Sequence, residues 1–394
     1  MDLPVVIAGA GIGGLSAALA LSASGHDVLV VERADELAEV GAGLQLSPNA
    51  CRVLDDLDVL DRLMPLAVAP RTVRIGSGRT GREIASIELG DRVAERHGAP
   101  YLVVHRADLQ KTLFDHAMEQ GRINVRLGSE IIEVGDTPDG IVQCHVQTGD
   151  ILSQIPAKAL IGADGVWSRV RGRVPGHKQA KYTGLTAYRA ALPAEQVDDD
   201  LLTRTGLWLG PNAHLVHYPI RAGREFNLVA LVPEKWTEEG WSATADRAAL
   251  LGHFANWALG VLSLLEKPDT WLKWALCGVD ANGPWSDGKI ALLGDAAHAM
   301  LPFAAQGAAM AIEDAAVLAH LFTPSATDVP AVLKAYETAR RKRVKKVQET
   351  AAENGRIYHL SGPLAIGRDM VMKLMPPDRL SARLDWIYGW TPPR

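Results

Sequence analysis

The chain opens with apolar runs and polar breaks in an order typical of a strand–helix–strand unit. Residues 4–8 (PVVIA) form a continuous apolar run, which predicts a central parallel strand covered on both faces. Residues 12–24 follow helical spacing, and Gly25 lies where a helix commonly ends in a left-handed conformation. A second strand, Val28 to Val31, ends at Glu32. This order predicts one βαβ unit.

Two later apolar runs also end in a glycine and an aspartate. They are AKALIGADG (157–165) and GKIALLGDAAHA (288–299), which predicts a nucleotide-binding fold assembled from distant pieces of chain. Residues 182–274 instead alternate apolar and polar positions over short runs, as in an antiparallel sheet with one covered face. Residues 331–353 predict one charged helix.

These patterns predict an α/β protein with three parts. They are a discontinuous Rossmann-type nucleotide-binding domain, a mostly antiparallel β-sheet substrate domain and a C-terminal helical region. The boundaries expected for the first part are 1–70, 101–181 and 275–330, those for the second are 71–100 and 182–274, and the third is 331–394.

Composition and charge narrow the class of protein. The 394 residues are 47% hydrophobic and 22% charged, which predicts a soluble globular protein of more than one ordinary domain. A net charge of -5 offers no electrostatic reason to expect nucleic acid. Cys51, Cys144 and Cys277 are scattered without a CxxC pair, so we expect no disulfide framework, no metal site and a reducing cytoplasm. The apolar N-terminal stretch lacks a basic leader and is interrupted by glycines, so we expect no membrane span.

The first candidate site is a G-x-G-x-x-G motif formed by Gly9, Gly11 and Gly14 between a strand and a helix. The first glycine permits the tight turn, the second lets the backbone approach a pyrophosphate, and the third lets helix and strand pack closely. Glu32 lies where an acid is expected to accept hydrogen bonds from ribose hydroxyls. A merely glycine-rich turn is the alternative, and the strand, helix and acid in register argue against it.

Two further features place polar groups at strand ends. Arg106 follows the strand-like YLVV and precedes a helix, so it could pair with a phosphate, although a surface arginine would look the same. Asp295 follows the apolar run 289–293, and a new helix starts after Gln306. A strand-end carboxylate close to a helix start predicts a ligand that is polar and partly anionic.

Together these motifs resemble those of the class A flavoprotein aromatic hydroxylases, single-component FAD monooxygenases with the fold of 4-hydroxybenzoate hydroxylase. The resemblance is carried by Gly9–Gly14 with Glu32, by GADG (162–165) and by GDAAHAMLPFAAQGAAMAIEDA (294–315), and it spans residues 4–350. Within the family, residues 39–61 and 215–223 most resemble the 3-hydroxybenzoate 6-hydroxylase and salicylate 1-hydroxylase branch.

The resemblance implies FAD as the cofactor of the discontinuous domain. It puts Asp295 on the ribitol hydroxyls, Arg106 beside the ribityl-phosphate chain, and the Gly307 and Ala308 N–H groups at the N1/C2=O edge of the flavin. Asp164 is implied at FAD, at the pyridine nucleotide or in a structural turn. The full set of residues expected to bind the cofactor is Gly9, Gly11, Gly14, Glu32, Arg33, Gly43, Arg106, Asp164, Asp295, Gly307 and Ala308. The resemblance implies NADH or NADPH as a transient co-substrate, without a second nucleotide-binding domain.

The segment NAHLVHYPI supplies the substrate-side candidates. If it is a strand, His214 and Tyr218 share one face and His217 points the other way. The resemblance implies His214 as the base that deprotonates a phenol and Tyr218 as a hydrogen-bond partner of a substrate oxygen. Ordinary sheet residues are the alternative. The resemblance also implies that Gln45, Pro302 and Gln306 lie near the flavin ring and the substrate. His298 is expected to be structural.

The expected function is hydroxylation of a phenolic aromatic acid with NAD(P)H and O2, through a flavin C4a-hydroperoxide. The resemblance implies 3-hydroxybenzoate, salicylate or a hydroxypyridine acid as substrate, and a homodimer in the cytoplasm. No arginine occurs in the candidate strand to pair with a substrate carboxylate. The alternatives are an FAD-dependent epoxidase or reductase of the same fold, and a flavin-binding sensor without enzymatic activity.

Overall fold

The computed structural model describes residues 3–37, 43–136 and 140–393. Residues 39–42 of the 39–61 motif lie outside the described residues. The strands are β1 Val5–Ala8, β2 Val28–Val31, β3 Gly43–Leu46, β4 Thr72–Ser77, β5 Glu83–Glu88, β6 Leu102–His105, β7 Ile123–Arg126, β8 Ser129–Asp136, β9 Val142–Thr148, β10 Ile151–Ala157, β11 Ala159–Gly162, β12 Lys181–Pro193, β13 Arg204–Gly210, β14 Ala213–Ile220, β15 Glu225–Pro233, β16 Ser242–Thr244, β17 Leu272–Gly278, β18 Ser286–Asp287 and β19 Ile290–Leu292. The helices are α1 Ile12–Ala23, α2 Pro48–Asp56, α3 Leu60–Leu63, α4 Asp91–His97, α5 Arg106–Met118, α6 Arg247–His253, α7 Leu259–Glu266, α8 Asp295–His298, α9 Gly307–Leu321, α10 Val329–Tyr358, α11 Gly362–Leu374, α12 Pro377–Ala382 and α13 Asp385–Tyr388.

A six-stranded sheet brings the three distant motifs to one edge. Its order is β18-β19-β11-β1-β2-β7, and its neighbours are parallel except for β18 and β19. Ala8 pairs with Gly162, and Gly162 pairs with Leu292. Because parallel strands end at the same edge of a sheet, the loops after β1, β11 and β19 begin side by side. The predicted α/β fold class is confirmed.

An eight-stranded sheet in the order β16-β17-β12-β15-β14-β13-β4-β5 forms the second layer. Its neighbours are antiparallel except for the parallel pair of β13 and β4. One face packs Tyr188, Leu215 and Phe226 into an apolar core with residues of α6 and α7. The opposite face is open to a cleft. The predicted domain boundaries stay a prediction, and β17 crosses the one expected between residues 274 and 275.

A buried ion network joins α9 to α10 beneath the cleft. Arg340 of α10 contacts Glu313 through Nη1 at 2.8 Å and Asp314 through Nε at 2.6 Å, and all three side chains are buried. Asp314 also accepts hydrogen bonds from the Gly294 backbone N–H at 3.1 Å and from the His298 ring at 2.6 Å. Burial alone would raise the pKa of Asp314, but the charges of His298 and Arg340 outweigh it and lower that pKa to about 2.

The same network holds the start of α9. Asn49 donates from Nδ2 to Glu313 at 2.6 Å and to the Gln306 side-chain oxygen at 3.1 Å. Gln306 in turn donates to the Ser47 hydroxyl at 2.8 Å. The residue before α9 and the loop that carries Asp295 are therefore anchored to one buried set of charges.

Replacing Arg340 by Met is expected to lower the free energy of unfolding by about 3–5 kcal/mol, because Glu313 and Asp314 stay buried after losing this cation and keep only Arg343 and His298 as charged partners. Methionine keeps much of the side-chain volume, so the loss reports the charge rather than a cavity. Urea unfolding measures it, with the exposed Lys342→Ala on the same helix as the control. A loss no larger than that of the control would show that the network does not stabilise the fold.

Candidate active site

The cleft lies between the strand ends of the six-stranded sheet and the open face of the eight-stranded sheet. Its cavity volume is about 990 Å³, at the upper end of the range of about 300–1,000 Å³ usual for ligand sites. Loops after β1, β2, β11 and β19 line one end, and side chains of β12, β14, β15 and β17 line the other. The cavity can thus hold an elongated ligand and a small second one.

The three glycines of the G-x-G-x-x-G motif have three different surroundings. Gly9 has φ of +101°, and a Cβ on it would lie 2.6 Å from the Ala163 carbonyl oxygen. A Cβ on Gly14 would lie 2.0 Å from the Gly9 carbonyl oxygen, so this glycine serves close packing and does not border the cavity. Gly11 borders the cavity, where a Cβ would meet nothing within 4 Å. The start of α1 therefore faces open space that suits a phosphate group.

Glu32, Asp164 and Asp295 are three of the acidic residues that line the cavity. Glu32 accepts hydrogen bonds from the backbone N–H groups of Ala10 at 2.7 Å and Ala34 at 2.9 Å. Asp164 accepts from the Arg169 N–H at 2.8 Å through Oδ2, and its buried Oδ1 has no hydrogen-bond partner among the described residues. Asp295 is exposed at the cavity wall. Such carboxylates can accept hydrogen bonds from sugar or ribityl hydroxyls.

Positive groups face the cavity from two directions. Arg33 and Arg106 line it, and Arg106 is the first residue of α5. Gly307 and Ala308 also line it as the first residues of α9. The first N–H groups of a helix have no partner within the helix and carry the positive end of its dipole. This end of the cavity therefore suits an anionic ring edge.

The other end of the cavity is the open face of β14. His214, Val216 and Tyr218 line it, whereas His217 lies on the opposite face and accepts a hydrogen bond from Trp208 Nε1 at 3.2 Å. The predicted strand and its two faces are confirmed, and the roles of the side chains remain predictions. Burial and the charge of Arg204 lower the pKa of His217 to about 3.

Tyr218 is packed tightly against Gly43. A Cβ on Gly43 would lie 2.4 Å from Tyr218 Cε2, and the Gly43 N–H donates to Asn227 Oδ1 at 3.1 Å. Burial raises the pKa of Tyr218, although the charge of Arg189 partly opposes this. The phenol therefore keeps its proton and can donate a hydrogen bond into the cavity.

His214 forms a buried pair with a residue absent from the sequence candidates, His359. Their Nδ1 and Nε2 atoms are 2.8 Å apart, so one ring donates to the other. Burial, together with the charge His359 would carry, lowers the pKa of His214 well below its usual value, and burial lowers the pKa of His359 to about 4. Both imidazoles are therefore neutral near pH 7.

Of the remaining substrate-side candidates, Gln45 and Pro302 line the cavity and Gln306 does not. Gln45 lines the cavity and accepts a hydrogen bond from the Tyr101 hydroxyl. Pro302 lines it and begins a 3₁₀ turn. Gln306 is buried against Ser47 and does not border the cavity, so its predicted substrate contact finds no support in this placement. His298 lies in the ion network, as a structural residue would.

Two more cavity residues were not among the sequence candidates, Arg189 of β12 and Trp274 of β17. The Arg189 guanidinium carbon lies 5.1 Å from the centroid of the Trp274 ring, and both side chains line the cavity. They lie on strands other than β14. Only the pairing of strands brings them to the face of His214.

A glycine turn, carboxylates and helix starts around one cavity are typical of a dinucleotide-binding protein. The sequence model described as the FAD binding domain matches residues 2–351, and the chain belongs to this family. FAD as the cofactor is therefore confirmed. The residues present fit it, because Gly11 leaves room for phosphate and the buried Asp164 Oδ1 lacks a partner among the described residues.

Named relatives agree with this class. The chain is 38% identical to 3-hydroxybenzoate 6-hydroxylase 1 of Aquipseudomonas alcaligenes, over 98% of this chain and 97% of the relative. It is 35% identical to the 3-hydroxybenzoate 6-hydroxylase of Polaromonas naphthalenivorans (strain CJ2), over 99% and 96%. A solved salicylate hydroxylase substrate complex superposes with a TM-score of 0.83 at 26% identity, over 99% and 96%. The predicted class of FAD-dependent aromatic hydroxylase is confirmed.

Neither a membrane-spanning helix nor a metal-binding cluster is found in the part of the chain that the structure describes. Among the described helices, none has the length and apolar character needed to cross a membrane. Within residues 3–37, 43–136 and 140–393, no group of three or more His, Cys, Asp or Glu side chains is arranged to hold a metal ion.

Alanine substitutions at Gly11 and Gly14 should impair two different properties, which are FAD binding for Gly11 and stability for Gly14. Gly14→Ala forces a methyl group against the Gly9 carbonyl, so the FAD-free protein should lose about 1–3 kcal/mol of unfolding free energy. Gly11→Ala places its methyl group in the cavity, so stability should be kept and FAD should bind more weakly. Urea unfolding and FAD titration measure the two effects. A Gly14→Ala protein as stable as wild type would contradict the packing role.

Lowering the pH from 7 to 5 is expected to lower the free energy of unfolding. The pKa of His217 is about 3 when folded and about 6.5 when unfolded, so the unfolded chain binds more protons in this window. Stability is then lost as the pH falls, by about 2 kcal/mol for this one histidine. His217→Gln, whose amide oxygen can accept from Trp208, should reduce the pH dependence measured by urea unfolding.

The exposed His253→Gln is the control for this experiment and should leave the pH dependence unchanged. A His217→Gln protein that loses as much stability as wild type between pH 7 and pH 5 would be inconsistent with a buried neutral His217.

Proposed function

We propose that this protein is a single-component FAD monooxygenase that hydroxylates 3-hydroxybenzoate at position 6, with NADH or NADPH and O2 as co-substrates. One observation carries the proposal. The start of α1, Asp295 and the start of α9 line one cavity. His214 and Tyr218 line the same cavity. A flavin held by the first set would therefore have an aromatic ring beside it.

The residues that would hold FAD divide by the part of the cofactor they suit. Gly9 and Gly11 with the start of α1 suit the pyrophosphate, and Glu32 suits the ribose. Arg33, Gly43, Arg106 and Asp164 border the same space. Asp295 suits the ribityl hydroxyls, and the Gly307 and Ala308 N–H groups suit the N1/C2=O edge. Bound FAD, reduced by NAD(P)H, supplies the activation of O2.

His214 acts on the hydroxyl group of the substrate. In the tautomer in which His214 Nδ1–H donates to His359 Nε2, the His214 Nε2 keeps a lone pair that can accept the phenolic proton. His359 is less buried than His214 and can receive charge as the proton moves. Deprotonation raises electron density para to the oxygen, which is position 6 of 3-hydroxybenzoate.

Tyr218 and the apolar wall orient the ring and exclude water. The Tyr218 hydroxyl donates a hydrogen bond to a substrate oxygen. Val216, Val229 and Leu231 line the same part of the cavity. A dry pocket matters because water would divert the activated oxygen from the ring.

The choice of 3-hydroxybenzoate rests on the two relatives matched over nearly their whole length. Salicylate and a hydroxypyridine acid are the competing substrates, and an epoxidase or reductase of the same fold is the competing activity. A panel of acids with identification of the product separates them.

The protein is proposed to act as a homodimer in the cytoplasm. Helix α11 exposes a set of large apolar side chains of the kind that usually marks an interface, namely Leu364, Ile366, Met370, Val371 and Leu374. Cys51, Cys144 and Cys277 are free thiols, in keeping with a reducing compartment.

The FAD-loaded protein should oxidise NADH or NADPH and take up O2 when 3-hydroxybenzoate is added, and the product should carry one additional oxygen atom by mass. His214→Asn should lower kcat by about 10²–10⁴-fold with unchanged FAD content, because the base is lost. His217→Gln, on the opposite face of β14, should keep wild-type turnover.

Full turnover in His214→Asn would remove the assignment of the base. Nicotinamide oxidation that no phenolic acid stimulates would remove the proposed activity as a whole.

A further inference from the structure

Arg189 occupies the substrate face of the eight-stranded sheet. It pairs with Val229 of β15, and Val229 pairs with Val216 of β14. Side chains of directly opposite residues lie on the same face of a sheet. Arg189 therefore shares the face of His214 and Tyr218, and all of these residues line the cavity.

Strand spacing sets how far Arg189 lies from the two candidates on β14. Neighbouring strands are about 4.8 Å apart and residues rise about 3.4 Å along a strand. Arg189 is thus about 10 Å across the sheet from Val216, and His214 and Tyr218 lie about 7 Å from Val216 in opposite directions. These backbone separations leave room for one substituted benzene ring between the side chains of Arg189 and His214.

The Trp274 ring packs against the Arg189 guanidinium. The ring centroid is 5.1 Å from the Arg189 guanidinium carbon, and Trp274 lies on β17 opposite Ala187 of β12. A guanidinium stacked on an aromatic face still presents its edge N–H donors, which match a carboxylate in a bidentate pair. The geometry therefore suits a planar anion at the edge of Arg189.

The distribution of charge in the cavity also favours an anion at Arg189. Among the described residues of the eight-stranded sheet that line the cavity, Arg189 is the one with a permanent charge. The acidic residues that line the cavity are Glu32, Glu36, Glu130, Asp164 and Asp295, and none of them belongs to this sheet. The phenol-binding face thus carries a positive charge.

We propose that Arg189, stacked on Trp274, binds the carboxylate of the aromatic acid while the substrate hydroxyl faces His214. The proposal rests on the proposed function and defines its substrate class. An acid whose carboxylate and hydroxyl lie apart on the ring, as in 3-hydroxybenzoate, reaches both residues. The adjacent groups of salicylate do not. A neutral phenol lacks the anion that Arg189 selects.

The test compares 3-hydroxybenzoate with the neutral 3-hydroxybenzamide in wild type, Arg189→Gln and Arg189→Lys. Charge-assisted hydrogen bonds predict that wild type favours the acid in kcat/KM by about 10- to 100-fold, and that Arg189→Gln removes this preference. The loss should be mainly in KM for the acid. Arg189→Lys should fall between the two, because it keeps the charge without the bidentate fork.

Arg189→Gln with the wild-type ratio of acid to amide would overturn the proposal, and so would an equal loss for both compounds, which indicates a merely structural role. Flavin content and thermal midpoint are compared with those of Arg79→Gln, an exposed site away from the cavity. If Arg189→Gln does not fold, binding to wild type decides, because equal affinity for acid and amide would overturn the proposal.

Failure of the proposed function looks different, since wild type would then hydroxylate neither compound. Hydroxylation of both with no preference for the acid would leave the function intact and remove only the role of Arg189.

Discussion

The geometry of the site depends on the buried ion pairs that the Arg340 guanidinium forms with Glu313 and Asp314. Burying three charged groups costs free energy, which is offset only when each charge meets partners at close range. Here the same carboxylates also hold Asn49 and the Gly294 N–H. The start of α9 and the loop bearing Asp295 are therefore fixed relative to each other before any ligand binds, which is the preorganisation that a charge-stabilising site needs.

The two sheets contribute different chemistry to the cavity. The parallel sheet offers backbone N–H groups and carboxylates, because its strand ends and helix starts meet at one edge. The antiparallel sheet offers side chains at every second position, so a single face carries an imidazole, a phenol and a guanidinium. Burial keeps His214 neutral and Tyr218 protonated, which is the state in which one accepts and the other donates a proton. The reacting ring would lie where these two surfaces meet.

Local pattern was enough to predict the first strand–helix–strand unit that borders the cavity. Strand β2 was predicted with its observed bounds, and α1 was predicted one residue too long, because glycines and continuous apolar runs mark these elements directly. The two faces of β14 followed from the period of two. The direction of the Gln306 side chain could not be predicted, since it is set by Ser47 and Asn49, far away in sequence.

The residues missed by sequence are those placed by tertiary contacts. His359 meets His214 across 145 residues, and it does so because α10 continues to Tyr358 instead of ending near residue 353. That extension packs Tyr358 and His359 against Phe303. Arg189 reaches the substrate face only through the register of β12 with β15. Neither strand pairing nor the end of a tertiary-stabilised helix can be derived from local periodicity.

The most direct test of the central claim is a crystal structure of the FAD-loaded protein with 3-hydroxybenzoate. FAD and the acid are expected in the same cavity, with the pyrophosphate at Gly11, the flavin edge at Gly307 and the acid between the flavin and His214. Flavin density in a different cavity, or an acid bound outside contact with the flavin, would contradict it.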